Sequence, residues 1–233
     1  MLNKLNISEG LAVTNRIGLG AVSPCRAANK LFSGGVPQGG IAHGIFHVIS
    51  GNMGFDGSIT TYSGVRFRPL FPNADAILID DIAHSLANQC RFAGHARLFY
   101  SVAEHSVRLS QLCRPEDALW GLLHDASEAF LCDVPAPLKA LPAFEAYRAA
   151  ECDLQQLIVV RFGLAPEQPA SVTEADQAML RIEMRDLLTA GSTGRKKADQ
   201  PLSITKPWSP RIAEARFLSR FHRLYSERGT VLR

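Results

Sequence analysis

The centre of the chain reads LWGLLHDASE over residues 119–128. Its apolar residues are typical of a buried helix, yet an imidazole and a carboxylate, His124 and Asp125, adjoin each other within it. Burying an ionised carboxylate in apolar surroundings is costly unless a partner compensates the charge. A divalent cation bound by both side chains would be such a partner. The stretch therefore predicts a helix that carries part of a metal site, with a hydrogen-bonded core histidine as the structural alternative.

Two flanking segments supply further ligands, and each begins with the Ser-x-x-Glu pattern of a helix N-terminus. Residues 101–104 predict a helix with His105 in its first turns, and residues 171–174 predict another with Asp176 just inside it. Mixed imidazole and carboxylate ligation suits Mn, Fe, Co or Zn, with water completing the coordination. The expected ligands of one divalent ion are His105, His124, Asp125 and Asp176.

This order of ligands, H…HD…D, resembles the signature of the HD-domain phosphohydrolases, an all-helical superfamily of metal-dependent enzymes that hydrolyse phosphate esters and anhydrides. Two flanking motifs, HDASE at 124–128 and DVPAPLK at 133–139, are similar to those of the bacterial 5′-deoxynucleotidases in that superfamily. The resemblance covers about residues 58–188. It implies an HD-type helical bundle and an enzyme that releases phosphate from deoxynucleoside monophosphates.

A second set of motifs is similar to phage-encoded deoxynucleoside triphosphate hydrolases. These are ITTYSG at 59–64, DIAH at 81–84 and RFAGH at 91–95. They favour a triphosphohydrolase as the alternative function. Hydrolysis of a guanosine polyphosphate lacks support from these flanks, and a catalytically idle scaffold that binds nucleotide is the alternative from a different class. Glu128 speaks against the scaffold, since a site without turnover has no need of a water-activating carboxylate.

The resemblance also implies roles for two carboxylates near the metal ligands. Glu128 lies on the same helical face as His124 and Asp125, at the position of a catalytic acid/base. Asp133 matches the second catalytic carboxylate of the family, although an Asp before prolines is often only a turn-forming residue.

Cations and aromatic residues nearby are candidates for binding the substrate. Arg91 can bridge two phosphate oxygens with its guanidinium, and Lys139 is a second candidate. For both residues a surface charge is the structural alternative. Phe92 is a candidate for stacking on the sugar or base, or else a core residue. His95 is a candidate phosphate contact, or a rival to His105 as the first metal ligand.

Composition sets limits on the class of protein. A chain of 233 residues with 46% hydrophobic and 20% charged residues is globular and long enough for one substantial domain. A net charge of +3 gives no reason to expect nucleic acid or membrane as a partner, and no apolar run reaches the length of a membrane span. Five cysteines without a CxxC pair, and no export signal, favour a reducing cytoplasm. The partner we expect is a small nucleotide; relatives in the resembled family imply a homodimer.

The chain divides at about residue 55. Residues 1–55 hold ten of the 18 glycines and show no sustained periodicity, so we expect an extension without its own fold. It is either a flexible or targeting segment, or translated upstream sequence with the natural start at Met53. Residues 56–233 are expected to form the phosphohydrolase domain.

Within that domain the patterns predict an all-α fold with a minor N-terminal β-hairpin at 59–68. The hairpin turn is expected at 62–64, and Asp80 is the expected N-cap of the first helix. A polar loop is expected at 190–210. The expected helices are 80–90, 101–113, 115–130, 144–162, 171–189 and 210–227.

Overall fold

Helices form most of the backbone in the computed structural model, which describes residues 56–188 and 203–231. The all-α fold class with one small hairpin is confirmed. Residues 1–55 and most of the predicted loop at 190–210 lie outside the described residues. In chain order the helices are α1 (Ile79–Asn88), α2 (Val102–Leu112), α3 (Ala118–Leu123), α4 (Glu128–Leu131), α5 (Ala136–Lys139), α6 (Glu145–Arg161), α7 (Ala170–Leu187) and α8 (Pro210–Val231).

The hairpin consists of strands β1 (Ile59–Thr60) and β2 (Arg66–Phe67), which pair antiparallel with Ile59 opposite Phe67. Gly64 takes the left-handed conformation that the turn requires (φ 85°), as the Tyr-Ser-Gly pattern predicts. The turn is attached to α1 because the Ser63 backbone N–H and hydroxyl both donate to the Asp81 carboxylate, at 2.7 and 2.8 Å. The hairpin is therefore a fixed part of the domain.

The prediction that Asp80 caps α1 was wrong. The N-cap is Leu78, without a side-chain hydrogen bond, and Asp80 is exposed in the first turn. Asp81, one residue further on, is the buried carboxylate, because it faces the hairpin turn. Asp80 and Asp81 still stabilise the helix from its first turn, because a negative charge there interacts favourably with the positive end of the helix dipole.

Helix α2 is the centre of the molecule and packs against α1, α3, α7 and α8. Ser101 caps it as predicted, accepting a hydrogen bond from the Glu104 N–H at 3.1 Å. Its buried polar residues all have partners: Glu104, for example, accepts from Arg108 at 2.7 Å and from the Trp208 N–H at 2.6 Å. A helix surrounded by others in this way holds its side chains in fixed positions, and one of these side chains is His105.

The single helix predicted at 115–130 is wrong, because the chain forms α3, a turn and α4 there. The Gln155 side chain explains the break. Its Nε2 donates to the Leu123 carbonyl at 2.9 Å, and its Oε1 accepts from the Ser127 N–H at 3.2 Å. In a continuous helix these two backbone groups would bond each other, so the inserted amide opens the helix at His124 and Asp125.

Two further boundaries differ from prediction. Helix α7 begins at Ala170 after Pro169, so Ser171 lies inside it and is not its cap. The Ser171 hydroxyl instead donates to the Asp117 carboxylate before α3, which links the two helices. Helix α8 extends to Val231, beyond the predicted end at 227. Among the residues described, no helix has both the length and the apolar character of a membrane span.

Candidate metal centre

His105 is the most deeply buried of the predicted metal ligands. Its side chain has no exposed surface, and Nδ1 lies 2.6 Å from Glu183 Oε1 on α7. Because a carboxylate can only accept, Nδ1 carries the proton and Nε2 is left with a lone pair. Helix α2 and Glu183 thus fix both the ring and its tautomer.

His124 is held in the same way at the turn after α3. Its Nδ1–H donates to the Gly121 carbonyl at 2.8 Å, so in the neutral ring Nε2 likewise has the lone pair that a metal ion would bind. The adjacent Asp125 carboxylate points to the same place, with Oδ2 3.1 Å from His124 Nε2.

The structure brings all four predicted ligands together. The Nε2 atoms of His105 and His124 are 3.3 Å apart, and with Asp125 they offer ligand atoms that all lie within 4.8 Å of one another. Asp176 adjoins this group, with Oδ1 3.4 Å from His105 Nε2, and 43% of its side chain is exposed. The two imidazoles are thus the buried part of the group, and Asp176 lies on its solvent-facing side.

The donor set fits a divalent cation. Two imidazole lone pairs and two carboxylates converge on a small volume, which is unfavourable unless positive charge is placed among them. Without a metal ion, protons take that role: burial disfavours the imidazolium of His124, but Asp125 outweighs this and raises the His124 pKa to about 9. Histidines that donate Nδ1–H to fixed acceptors are typical of metal centres.

Arg91 lies beside the ligands, as predicted for a phosphate contact. Its guanidinium is 3.5 Å from Asp125 Oδ2 and 3.2 Å from Glu183 Oε2. Burial lowers the Arg91 pKa, but the two carboxylates more than offset this and raise it above its usual value, so the group is permanently charged. Its Nε is buried without a hydrogen-bond partner among the described residues. Arg91 therefore links the metal ligands to α7.

Glu183 belongs to the candidate site by its contacts and was not among the residues predicted from the sequence. It is fully buried and binds both His105 and Arg91. Burial raises its pKa, but His105 and Arg91 outweigh that effect and the pKa is lowered, so Glu183 is an anion. A signal existed: it follows Asp176 by seven residues (183 − 176), which is two helical turns and places both on one face.

Glu128 and Lys139 form an ion pair with each other. Lys139 Nζ lies 3.0 Å from Glu128 Oε1 and 2.5 Å from Glu151 Oε1. Lys139, predicted to bind phosphate, thus contacts two carboxylates, as Arg91 does. Burial, reinforced by the charge of Asp125, raises the Glu128 pKa to about 9 even though Lys139 opposes it. Glu128 Oε2 is buried and has no hydrogen-bond partner among the described residues.

Asp133 lies in the loop after α4, within electrostatic reach of the same charges. Partial burial raises its pKa, and the positive charge of Arg91 acts in the opposite direction. Its backbone N–H donates to Gln89 Oε1 at 3.1 Å. The two predicted catalytic carboxylates thus both lie within electrostatic reach of Asp125, each with a raised pKa.

The remaining predicted substrate contacts, Phe92 and His95, lie in a turn after Arg91. Phe92 is partly buried against the cluster that contains Tyr100 and Met179, which is the structural alternative given for it above. His95 is exposed, and its backbone N–H donates to the Phe92 carbonyl at 2.9 Å. His105, not His95, occupies the ligand position beside His124.

Comparison with known proteins identifies relatives of the chain. Over 129 residues, 55% of this chain and 71% of the relative, it is 47% identical to the uncharacterized protein YfdR of Escherichia coli K12. The chain belongs to the YfdR family. An uncharacterized protein of Rhodobacter capsulatus is 35% identical over 132 residues, 53% of this chain and 67% of that relative. No family model matches the chain.

Proposed function

We propose that the protein is a metal-dependent phosphohydrolase of the HD type that acts on nucleotides, releasing phosphate from deoxynucleoside monophosphates. The observation that carries the proposal is the convergence of His105, His124 and Asp125, with Asp176 adjoining. The rest of its support is the resemblance of the flanking HDASE and DVPAPLK motifs to the 5′-deoxynucleotidases. As part of the same proposal, we assign the enzyme to the cytoplasm and expect a homodimer.

A divalent ion at the four ligands, Mn, Co, Zn or Fe, would supply Lewis acidity at the phosphoryl group. The protein supplies the remaining functions. Arg91 offers a permanent, partly buried cation for phosphate oxygens. A bound divalent ion would also lower the pKa of the nearby Glu128 carboxyl from its raised value. Glu128, placed one turn after His124, then accepts a proton from the attacking water, and Asp133 assists proton transfer at the leaving group.

The choice of a monophosphate substrate depends on what the triphosphohydrolase-like motifs do in this protein. In the first two of these motifs, Tyr62 stacks on His84 with ring centroids 3.7 Å apart, and Ser63 binds Asp81. Residues of ITTYSG thus contact residues of DIAH and attach the hairpin to α1. Because packing accounts for these residues, they give little support to a triphosphate substrate.

The test is analysis of products by chromatography after incubation with matched deoxynucleoside mono- and triphosphates in Mn, Co or Zn. We expect free phosphate from the monophosphate. Asp125→Ala should lose metal binding and turnover together, whereas Asp153→Ala, at an exposed position on α6, should retain both. Inorganic triphosphate as the product would establish the triphosphohydrolase instead. Nucleotide binding without turnover in any metal would establish a binding scaffold.

A further inference from the structure

The loop that joins the two predicted catalytic carboxylates contains a strained residue. Cys132, directly before Asp133, has φ 70° and ψ 155°, a conformation that residues other than glycine rarely adopt. Such strain persists only where surrounding contacts hold it, and it is concentrated at functional sites. The contacts that hold Cys132 therefore indicate which residues fix the position of this loop.

The Gln89 side chain spans this strained residue. Its Nε2 donates to the Glu128 carbonyl at 2.9 Å, and its Oε1 accepts from the Asp133 N–H at 3.1 Å. The same amide also donates to Ser85 Oγ at 3.0 Å, and Ser85 in turn donates to the Ala129 carbonyl at 2.7 Å. One amide group thus ties the backbone of both carboxylate residues to the end of α1.

Gln89 is itself anchored, so these contacts can fix a position. Its N–H donates to the Ser85 carbonyl at 3.1 Å, and its carbonyl accepts from the Val102 N–H at 3.1 Å. It stands two residues before Arg91 in the segment between α1 and α2. From the other side, the Tyr147 hydroxyl donates to the Cys132 carbonyl at 2.6 Å. The strained turn is thus held at both ends and in the middle.

We propose that Gln89 is a positioning residue that holds Glu128 and Asp133 at fixed positions relative to Arg91 and the predicted metal ligands. This inference rests on the proposed function. Gln89 contacts backbone groups of the two carboxylate residues and acts on the reaction only through them. Its loss should therefore lower the rate of the chemical step and leave metal binding and substrate binding in place.

The test compares Gln89→Met, which keeps the length of the side chain but removes the amide, with Gln111→Met at an exposed position on α2. Three quantities are measured: kcat and KM for deoxynucleoside monophosphate, the Kd for Mn by calorimetry, and amide hydrogen exchange over residues 128–133. We expect Gln89→Met to lower kcat by at least about tenfold, with KM and Kd within about twofold. Exchange should accelerate over 128–133 and stay unchanged over 102–112. Gln111→Met should match the wild type.

A double variant separates positioning from general destabilisation. In a Glu128→Gln background, Gln89→Met should lower kcat much less than it does alone, because the two residues act as one unit. If Gln89→Met does not fold, Gln89→Asn, which retains a shortened amide, takes its place with the same expected pattern.

Each outcome decides one of the two proposals. Unchanged exchange over 128–133 would overturn the positioning role whether or not the enzyme is active. Unchanged kcat in an active enzyme would overturn it as well. If the wild-type protein hydrolyses no nucleotide, the proposed function fails, and faster exchange in Gln89→Met would still establish Gln89 as the residue that fixes this loop.

Discussion

At the scale of single residues, Glu128 should reduce the stability of the metal-free protein. Its pKa is raised from the usual 4.5 to about 9, first because it is buried. The folded state therefore binds this proton more tightly than the unfolded chain, and stability is lost as the pH rises from about 4.5 towards 9. We expect Glu128→Gln to raise the Tm at pH 8 by several degrees and to change it little at pH 5.

Thermal denaturation in EDTA at the two pH values checks this expectation. Glu174→Gln, a substitution at an exposed position on α7, is the matched control and should shift the Tm at neither pH. A gain from Glu128→Gln that is the same at both pH values would contradict a raised pKa for the Glu128 carboxyl. A gain that appears only at pH 8 would show that the protein retains a destabilising carboxylate, as sites that need a proton acceptor do.

Individual side chains also show what could be predicted from the sequence. The four predicted metal ligands could be chosen from the sequence because imidazole and carboxylate side chains are the usual ligands of such ions, and the structure places them close together. Lys139 was assigned to phosphate because its charge was visible in the sequence, but its partners, Glu128 and Glu151, lie 11 and 12 residues away along the chain. Gln89 could not be found, because an amide carries no signal of its own until its backbone partners are known.

At the scale of elements, the predicted helix at 115–130 has the clearest lesson. Apolar periodicity correctly indicated helical backbone before and after His124. The break depends on Gln155, more than 25 residues away, which bonds the Leu123 carbonyl and the Ser127 N–H in place of the helix. Local sequence therefore predicted that these residues are helical and buried, and a distant residue determined where the helix opens.

Helices α2 and α3 approach closely at Gly121, and this close contact should disfavour any larger residue at position 121. A Cβ at this position would lie 2.5 Å from Cys113 Sγ and 3.0 Å from Leu109 Cδ2. Alanine is the better helix former by up to about 1 kcal/mol, but overpacking a core costs about 1–3 kcal/mol. We expect Gly121→Ala to lower the free energy of unfolding, as measured by chemical denaturation.

The same substitution in a Cys113→Ala background is the control. Removing the sulfur removes the nearest obstacle, so Gly121→Ala should cost less there than in the wild-type chain. Equal costs in the two backgrounds would mean that Leu109 or the backbone at Ser110, and not the Cys113 side chain, limits the distance between the helices.

At the scale of the whole molecule, the four ligands come from separate parts of the chain. His105 lies on α2, His124 and Asp125 in the turn after α3, and Asp176 on α7. The all-α class followed from the apolar periodicity of the helices, but the arrangement that unites these segments follows from α2 being surrounded by its neighbours. An ion bound by all four residues would link three segments that are distant in sequence, so metal binding should stabilise the entire fold.

We therefore expect added Mn or Zn to raise the Tm of the EDTA-treated protein, by an amount that grows with the logarithm of the ratio of metal concentration to Kd. At a metal concentration one hundred times the Kd, the gain is about 2.7 kcal/mol, or several degrees. Asp125→Ala should show no metal-dependent shift. Glu183→Gln keeps every ligand but weakens the acceptor of His105 Nδ1–H, so it should need about 10- to 100-fold more metal for the same shift. Glu174→Gln, on the same helix, should behave as the wild type. Equal shifts in Asp125→Ala and the wild type would place the metal elsewhere in the protein.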